Sequence, residues 1–252
     1  MADPLITLEN LSVDYGARHA LQNVSGIFHE GSLTAIAGPN GSGKSTLLKT
    51  LAGVIRPTSG KVVFTRKGKR AVAYLPQVSH MQRDFPISVE EMAMTGFYPI
   101  IGESAGVGNK RRLLVSKALH EVGLSGYEKR SIGELSGGEF QRALFARVIV
   151  QDAPIILLDE PFTAVDAETT SRLIRLLLKW HNGGRTVICV LHDLLMIKKY
   201  FPESMVLQGK CLGIGHTHNL FEQKLLSFDL DMAELQSARE ASNHKHEHSH
   251  DA

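Results

Sequence analysis

The sequence predicts an α/β protein with a largely parallel β-sheet. Short apolar runs alternate along the chain with segments of helical periodicity, which is typical of this fold class. The first of the apolar runs, Leu33–Ala37, is a strand candidate. Two later runs are continuous, as expected of strands that are covered on both faces: Ile155–Leu158 and Thr186–Leu191. After the first run come several glycines and then the apolar helix pattern of residues 46–52, which ends at Gly53.

Two regions depart from this alternation. Residues 5–15 and 61–75 resemble antiparallel strands, with a turn predicted at residues 57–60. Between about residues 80 and 150, strand patterns are replaced by helix patterns, and Ser88 with Glu91 has the form of a capping box at a helix start. We therefore expect a helical insertion between two parts of one sheet.

Composition excludes several classes of protein. The chain has 252 residues, with 28 basic and 26 acidic side chains, so its formal charge of +2 offers no basic excess for nucleic acid. Its charged fraction of 21% and hydrophobic fraction of 43% are ordinary for a globular protein. No apolar run approaches the roughly 18 residues of a membrane helix, and Met1–Pro4 does not begin a secretory signal. Cys189 and Cys211 lie in apolar, strand-like surroundings, so we interpret them as reduced thiols in a cytosolic protein.

A phosphate-binding loop follows the first apolar strand. The segment that fits the pattern G-x-x-x-x-G-K-[ST] is Gly38, Pro39, Asn40, Gly41, Ser42, Gly43, Lys44 and Ser45. Its glycines let successive backbone N–H groups point inward, and the helix that follows adds its dipole. In such a loop Lys44 reaches the β- and γ-phosphates and the Ser45 hydroxyl binds Mg²⁺.

An acidic pair follows the continuous apolar run Ile155–Leu158. Asp159 and Glu160 follow four apolar residues, at the carboxyl end where α/β sheets bind ligands. Because successive strand residues point in opposite directions, the two carboxylates can have different roles. Asp159 suits the Mg²⁺ site, and Glu160 suits the orientation or deprotonation of an attacking water.

The segment Leu135–Glu139 predicts a second anion site. Ser136 and Glu139 form another capping box, so this segment begins a helix. Gly137 and Gly138 are poor helix formers, but they leave the first N–H groups of the helix uncovered. An uncovered helix start beside a serine hydroxyl can bind phosphate. Two phosphate receptors in one chain suggest a nucleotide held between two copies.

With these motifs the sequence resembles the ATP-binding subunits of ABC transporters over roughly residues 5–220. Four further residues match the family's motifs in order: Tyr15 the aromatic that stacks on adenine, Gln77 the Q-loop, Asp166 the D-loop and His192 the switch histidine. The resemblance implies a P-loop NTPase (RecA-like) core with an antiparallel β-subdomain and an inserted α-helical subdomain. On this reading residues 1–240 form the ATPase domain.

The resemblance also implies the site, the cofactors and the partners. ATP and Mg²⁺ are the implied cofactors, with Ser45, Gln77 and Asp159 at the Mg²⁺. The implied catalytic residues are Lys44, Gln77, Glu160 and His192. Nucleotide contacts fall on Tyr15, on residues 38–46 including Thr46, on Ser136, Gly137 and Gly138, and on Asp166.

The implied partners are a second copy in a head-to-tail dimer, integral membrane permease subunits, and an extracytoplasmic metal-binding protein in the same complex. The chain would then lie peripherally on the cytoplasmic face of the cell (inner) membrane. We expect the permease to dock on the Q-loop and the residues after it, roughly 78–100, where apolar and charged groups mix: Met81, Arg83, Asp84, Phe85, Phe97 and Tyr98.

Two segments resemble the zinc and manganese importers in particular. They are residues 84–89, with Gly96 shortly after, and residues 160–166, in which Ala164 replaces the glycine that is more frequent in the family. Zinc is the first expectation and manganese the second. The alternatives are an importer of iron chelates or cobalamin, which shares most of these motifs, and a soluble ABC ATPase without a transport role. An exporter is disfavoured because the chain carries no membrane spans.

The last residues contribute separate chemistry. Four of the 12 histidines alternate near the end of the chain, at His244, His246, His248 and His250. An extended chain places alternating imidazoles on one side, where three or four could bind one zinc ion. His216 and His218 repeat the spacing once. A solvated polar tail over residues 241–252, disordered and without a metal, is the other reading.

Overall fold

The structure is a computed structural model that describes residues 3–65, 72–77, 84–98, 108–163 and 165–227. Within these ranges the strands are β1 (Pro4–Tyr15), β2 (Arg18–His29), β3 (Leu33–Ala37), β4 (Ser59–Phe64), β5 (Val72–Leu75), β6 (Ile155–Asp159), β7 (Thr186–Val190), β8 (Glu203–Gln208) and β9 (Lys210–His216). The helices are α1 (Lys44–Leu51), α2 (Val89–Met94), α3 (Asn109–Glu121), α4 (Gly137–Gln151), α5 (Ala167–Asn182), α6 (Leu194–Tyr200) and α7 (Thr217–Glu222).

The larger sheet has the order β5-β6-β7-β3-β8-β9, and β9 is its antiparallel strand. The predicted α/β fold with a largely parallel sheet is confirmed. All five residues of β3, of β6 and of β7 are buried, which explains why apolar residues predominate in each of these strands. Because β3 lies between β7 and β8, the loop that leaves its carboxyl end is at the middle of the sheet.

The smaller sheet is antiparallel, with the order β2-β1-β4. It contains the predicted strand over residues 5–15, but the prediction that residues 61–75 belong with it is wrong for β5. Val72 pairs with Ile155, and the two strands run parallel in the larger sheet. As an edge strand, β5 has partly buried Val72 and Tyr74 alternating with buried Ala73 and Leu75. Such alternating burial is common in strands of antiparallel sheets. The predicted turn also ends early, because Ser59 and Gly60 already belong to β4.

Helices α2, α3 and α4 pack against one another in the described part of residues 84–151. Helix α2 begins with the predicted capping box: the Ser88 hydroxyl accepts from the Glu91 N–H at 3.2 Å, and a Glu91 carboxylate oxygen accepts from the Ser88 N–H at 2.7 Å. The rings of Phe145 and Trp180 stack at 5.9 Å between centroids and join α4 to α5. Buried aromatic stacking thus joins the helical region to α5.

Two apolar clusters form the core. One joins a face of the larger sheet to helices α2 to α6, and the other fills the space between the two sheets around α1. Leu47, Leu48 and Leu51 of α1 pack in the second cluster with Ile36 and Leu157 of the larger sheet. Burial of these side chains holds the start of α1 against the carboxyl end of β3. No helix in the described ranges is long and apolar enough to cross a membrane.

Candidate nucleotide-binding site

The loop between β3 and α1 has a conformation that depends on its glycines. Gly38 has φ of +149°, and a Cβ added there would lie 1.9 Å from the carbonyl oxygen of Leu207. Gly43 has φ of +96°, and its added Cβ would lie 2.5 Å from the carbonyl oxygen of Ala20. At both positions the backbone passes neighbouring strands too closely for a side chain, so the curl of the loop follows from tertiary packing as well as from φ.

Lys44 folds back over this loop. Its Nζ donates to the carbonyl oxygens of Gly38 at 2.7 Å and Pro39 at 2.8 Å. The Lys44 side chain is therefore held beside the turn whose backbone would cradle a phosphate.

Ser45, Asp159 and Tyr74 form the next part of the site. The Ser45 hydroxyl donates to Asp159 Oδ1 at 2.9 Å, and the Tyr74 hydroxyl donates to Asp159 Oδ2 at 3.3 Å. Burial raises the pKa of the Asp159 carboxyl above its ordinary value, although the Ser45 hydrogen bond works in the opposite direction. Burial and the Asp159 charge likewise raise the pKa of Tyr74, so its hydroxyl stays protonated and remains a donor.

These groups fit a magnesium ion. Mg²⁺ takes hard oxygen ligands, commonly one or two from the protein with the remainder from water and phosphate. Ser45 and Asp159 offer two such oxygens 2.9 Å apart, beside the loop that would hold phosphates. A divalent cation would also offset the cost of keeping the buried Asp159 ionised. In the described residues, Gln77, which the sequence also predicted at the Mg²⁺, makes no hydrogen bond to Ser45 or Asp159. Its amide nitrogen donates to Glu160 instead.

Glu160 lies between two other strand ends. Its Oε2 accepts from the Gln77 amide after β5 at 2.7 Å, and its Oε1 contacts His192 Nε2 after β7 at 2.7 Å. The φ of Glu160 is +49°, which is unusual for a residue with a side chain. A left-handed backbone conformation at a strand end is a frequent property of functional sites, and the Glu160 side chain contacts Gln77 and His192 here.

A cleft of about 320 Å³ contains the phosphate loop together with Gln77 and Glu160, whereas Tyr74, Asp159 and His192 are not in its lining. The lining consists of Tyr15, Arg18, Ala20, Asn40, Gly41, Ser42, Gly43, Lys44, Ser45, Thr46, Gln77 and Glu160. Ten of these twelve are residues that the sequence predicted for the site. Arg18 and Ala20 were not predicted, because they belong to no phosphate-loop pattern and reach the cleft through the pairing of β2 with β1. Tyr15 is half exposed at the mouth, where it could stack on a base.

The second predicted anion site begins α4. The Ser136 hydroxyl accepts from the Glu139 N–H at 3.3 Å, and Glu139 Oε2 accepts from the Ser136 N–H at 2.8 Å. Gly137 and Gly138 are the first two residues of the helix, so their N–H groups have no intrahelical acceptor. None of Ser136, Gly137 and Gly138 is among the residues that line the cleft. The structure of one chain therefore does not bring its two predicted phosphate receptors into one pocket.

Asp166 has a structural position in this chain. It is the N-cap of α5, where its carboxylate accepts from the Thr169 N–H at 2.8 Å and the Thr169 hydroxyl at 2.9 Å. These bonds lower the pKa of Asp166. Asp166 does not line the cleft, so its predicted nucleotide contact is not made within one chain.

Two contacts near the site, one of them buried and the other partly buried, were missed by sequence reasoning. Gln141 is 1% exposed and donates its amide to the Pro161 carbonyl oxygen at 2.7 Å. The Tyr127 hydroxyl donates to Glu139 Oε1 at 2.9 Å and supports the second capping box. No sequence pattern names the partner of either side chain. Several predicted residues fall outside the described ranges: Met81, Arg83, Ala164 and the tail histidines His244, His246, His248 and His250.

Comparison with known proteins identifies the fold that carries this site. The profile of the ABC transporter family matches residues 21–163. The manganese transport system ATP-binding protein MntB of Listeria monocytogenes is 37% identical over 225 residues, which cover 88% of this chain and 94% of that protein. The zinc transport system ATP-binding protein TroB of Treponema pallidum is 37% identical over 223 residues, covering 87% of this chain and 84% of that protein.

A solved structure agrees with these relatives. It is an ABC transporter described as of the metal-chelate type, in an inward-facing conformation; it superposes with a TM-score of 0.76 at 28% identity, over 86% of this chain and 85% of that one. The P-loop NTPase core with its smaller sheet and helical region is thus confirmed. The chain belongs to the ABC transporter family, in which it is an ATP-hydrolysing cassette.

Proposed function

We propose that this chain hydrolyses Mg²⁺-bound ATP between two copies arranged head to tail. Closing and opening of that dimer would power the import of a divalent transition metal, zinc first and manganese next, through separate membrane subunits. The chain would work on the cytoplasmic face of the membrane. The observation that carries the chemistry is the division of the two adjacent carboxylates between different partners.

Glu160 is the group that we assign to the attacking water. Its two oxygens contact Gln77 and His192, which follow different strands, so its carboxylate is held in place before substrate arrives. With a water beside it, Glu160 would accept the proton as the oxygen attacks the γ-phosphate. The His192 imidazole lies at the same point and could donate to a γ-phosphate oxygen.

Asp159 and Ser45 would hold Mg²⁺, which neutralises charge on the phosphates. Lys44 adds a fixed positive charge at the phosphate loop. Because Glu160 and Asp159 contact separate sets of partners, one carboxylate can remain free of the metal and act on the water. This separation supports hydrolysis, and simple nucleotide storage would not require it.

The dimer follows from the position of the second phosphate receptor. Ser136, Gly137 and Gly138 present a helix start with uncovered N–H groups, yet they are absent from the lining of the cleft in their own chain. A nucleotide in that cleft can meet such a helix start only on another molecule. ABC cassettes form dimers and work with membrane permease subunits, which supports the same arrangement.

A groove beside α2 is the surface that we assign to the permease. Its lining combines charged and apolar side chains, namely Ser88, Glu90, Glu91, Met94, Tyr98, Arg112, Glu128 and Lys129. Nearby Phe85 is 63% exposed and Tyr98 is 49% exposed. Exposed aromatic residues beside a charged rim are typical of a protein interface. Five of its eight lining residues belong to the described part of the predicted docking region, residues 84–98, whereas Arg112, Glu128 and Lys129 lie beyond it.

The transported substrate is proposed from the relatives. The manganese and zinc systems of Listeria and Treponema match this chain at equal identity, so they support a metal importer without separating the two ions. The alternating histidines at the end of the chain support zinc as the first choice. A metal-chelate importer is the second candidate, because the solved transporter of that type shares this fold over most of both chains.

Transport measurements would test the substrate. The full chain is co-purified with its membrane subunits and reconstituted in liposomes together with the cognate binding protein. ATP-dependent uptake of zinc, of manganese and of a ferric chelate is then compared, with Glu160→Gln as the matched inactive control. We expect zinc uptake that the control lacks. Uptake of manganese alone would reverse the order of the two ions, uptake of the ferric chelate alone would favour the second candidate, and none of the three would overturn the proposal.

A further inference from the structure

The hairpin between β1 and β2 places an arginine over the phosphate loop. Arg18 pairs with Tyr15 across the hairpin, and both side chains line the cleft. The Arg18 guanidinium lies close to the loop: a Cβ added to Gly41 would be 3.2 Å from Arg18 Nη2. Arg18 is therefore beside the part of the loop that has φ of +75° at Gly41.

The contact belongs to an extended alignment of β2 with the loop. Arg18 and Ala20 are two residues apart, so they lie on one face of the strand. The backbone of β2 also approaches the loop, since an added Cβ at Gly43 would be 2.5 Å from the Ala20 carbonyl oxygen. This backbone approach places the start of β2 beside the loop, within reach of the Arg18 side chain.

Among the residues that the structure describes, the charge of Arg18 has no partner. In the described ranges, no ion pair or side-chain hydrogen bond includes its guanidinium. The acid nearest in the hairpin, Asp14, is occupied by His19, whose Nδ1 lies 2.6 Å from Asp14 Oδ1. Lys44, the other cation of the cleft, reaches the first two residues of the loop, whereas Arg18 reaches Gly41. The two positive charges thus approach the loop at different points.

We propose that the Arg18 guanidinium binds the polyphosphate chain of the nucleotide, from the Gly41 side of the loop. A guanidinium offers five donors in a planar fork that matches phosphate oxygens. The location between Tyr15 and the phosphate loop gives it access to phosphates and not only to the base. This inference rests on the proposed placement of ATP in the cleft and adds a binding residue to it.

The test is calorimetric titration of the full chain with ATP, ADP and AMP in the presence of Mg²⁺. All variants carry Glu160→Gln so that hydrolysis does not disturb the titration. We expect Arg18→Met to weaken ATP binding about tenfold, as for loss of a charge-assisted hydrogen bond, and to weaken AMP binding less than about twofold. Arg18→Lys should recover part of the loss. Arg56→Met is the matched control, because Arg56 is exposed and does not line the cleft.

Three results would overturn the inference: unchanged ATP affinity, an equal loss for AMP and ATP, or a lower unfolding temperature of Arg18→Met without nucleotide. Lys44→Met, titrated in parallel, separates this inference from the proposed function. If Lys44→Met abolishes ATP binding while Arg18→Met leaves the ATP affinity unchanged, only the proposed role of Arg18 fails. If neither variant affects ATP binding, the nucleotide does not use this cleft and the proposed function fails as well.

Discussion

Gly138 offers a test in which stability and activity are expected to change in opposite directions. It is the second residue of α4, and its φ lies outside the left-handed region, so alanine fits the backbone. A Cβ at this position would meet only Val165 Cγ1 at 3.9 Å, an ordinary van der Waals distance. Alanine is the better helix former, so Gly138→Ala should raise the free energy of unfolding by about 0.5 kcal/mol. For a chain of this size that is about 1–2 °C in the unfolding temperature.

Activity should fall in the same variant. The added methyl group would cover the start of α4, where the proposed dimer places the γ-phosphate of the nucleotide bound to the partner. Loss of one well-placed donor to a developing negative charge costs about 10²–10³ in rate. We therefore expect a fall of at least about 100-fold in the ATP hydrolysis rate. ATP-induced dimerisation, followed by light scattering in a Glu160→Gln background, should also be lost, while ATP binding to the phosphate loop of the monomer is retained.

The matched control is Gly108→Ala at the start of α3. Gly108 also has open space around an added Cβ, and it lies outside the site, so its hydrolysis rate should equal that of the unmodified chain. A hydrolysis rate of Gly138→Ala within twofold of that value would refute the assignment of this helix start to phosphate. A fall of several degrees in its unfolding temperature would show instead that the fold itself needs the glycine.

Three further predictions concern other parts of the chain. Glu160→Gln should keep ATP affinity, lower the hydrolysis rate by about 10²–10⁴ and accumulate an ATP-bound dimer; a normal rate in a phosphate-release assay would show that Glu160 is not the base. Gly38→Ala should lower the free energy of unfolding, measured in urea, by more than about 2 kcal/mol, because its Cβ would lie 1.9 Å from the Leu207 carbonyl oxygen. Gly53→Ala, where φ is +74° and the space around an added Cβ is open, should lower it by about 1 kcal/mol, and equal losses in the two variants would refute the steric argument. Deletion of residues 243–252 should reduce the number of zinc ions bound per chain in equilibrium dialysis, and an unchanged number would leave the tail as a polar extension.

Features that depend on neighbouring residues were accessible from the sequence. The capping boxes at Ser88 and Ser136 were predicted and are present, because a capping box needs only a side chain and an N–H three residues away. The loop from Gly38 to Ser45 was recognised for a similar reason, since its residue pattern and the helix after it are local, although its close approach to Leu207 and Ala20 is not. Strands β6 and β7 were found because burial on both faces leaves a continuous apolar run, and β3 was found as a strand candidate.

Features that depend on distant parts of the chain were not accessible. The edge strand β5 was assigned to the wrong sheet because its four residues do not identify which strand lies beside it. The contact of Tyr74 with Asp159 follows from that pairing, and so it was missed too. Arg18 gave no signal as a cleft residue, because only the packing of β2 against the loop brings it to Gly41.

By itself the sequence determined the fold class, the phosphate loop, the two adjacent carboxylates and the second helix start. These depend on residue order over short distances, where the backbone leaves few alternatives. The tertiary structure decided how the carboxylates divide, with Asp159 beside Ser45 and Glu160 between Gln77 and His192. It also decided that the second helix start stays out of the cleft of its own chain. Both outcomes depend on the order of strands in the sheet and on the packing of helices against it, which local periodicity does not encode.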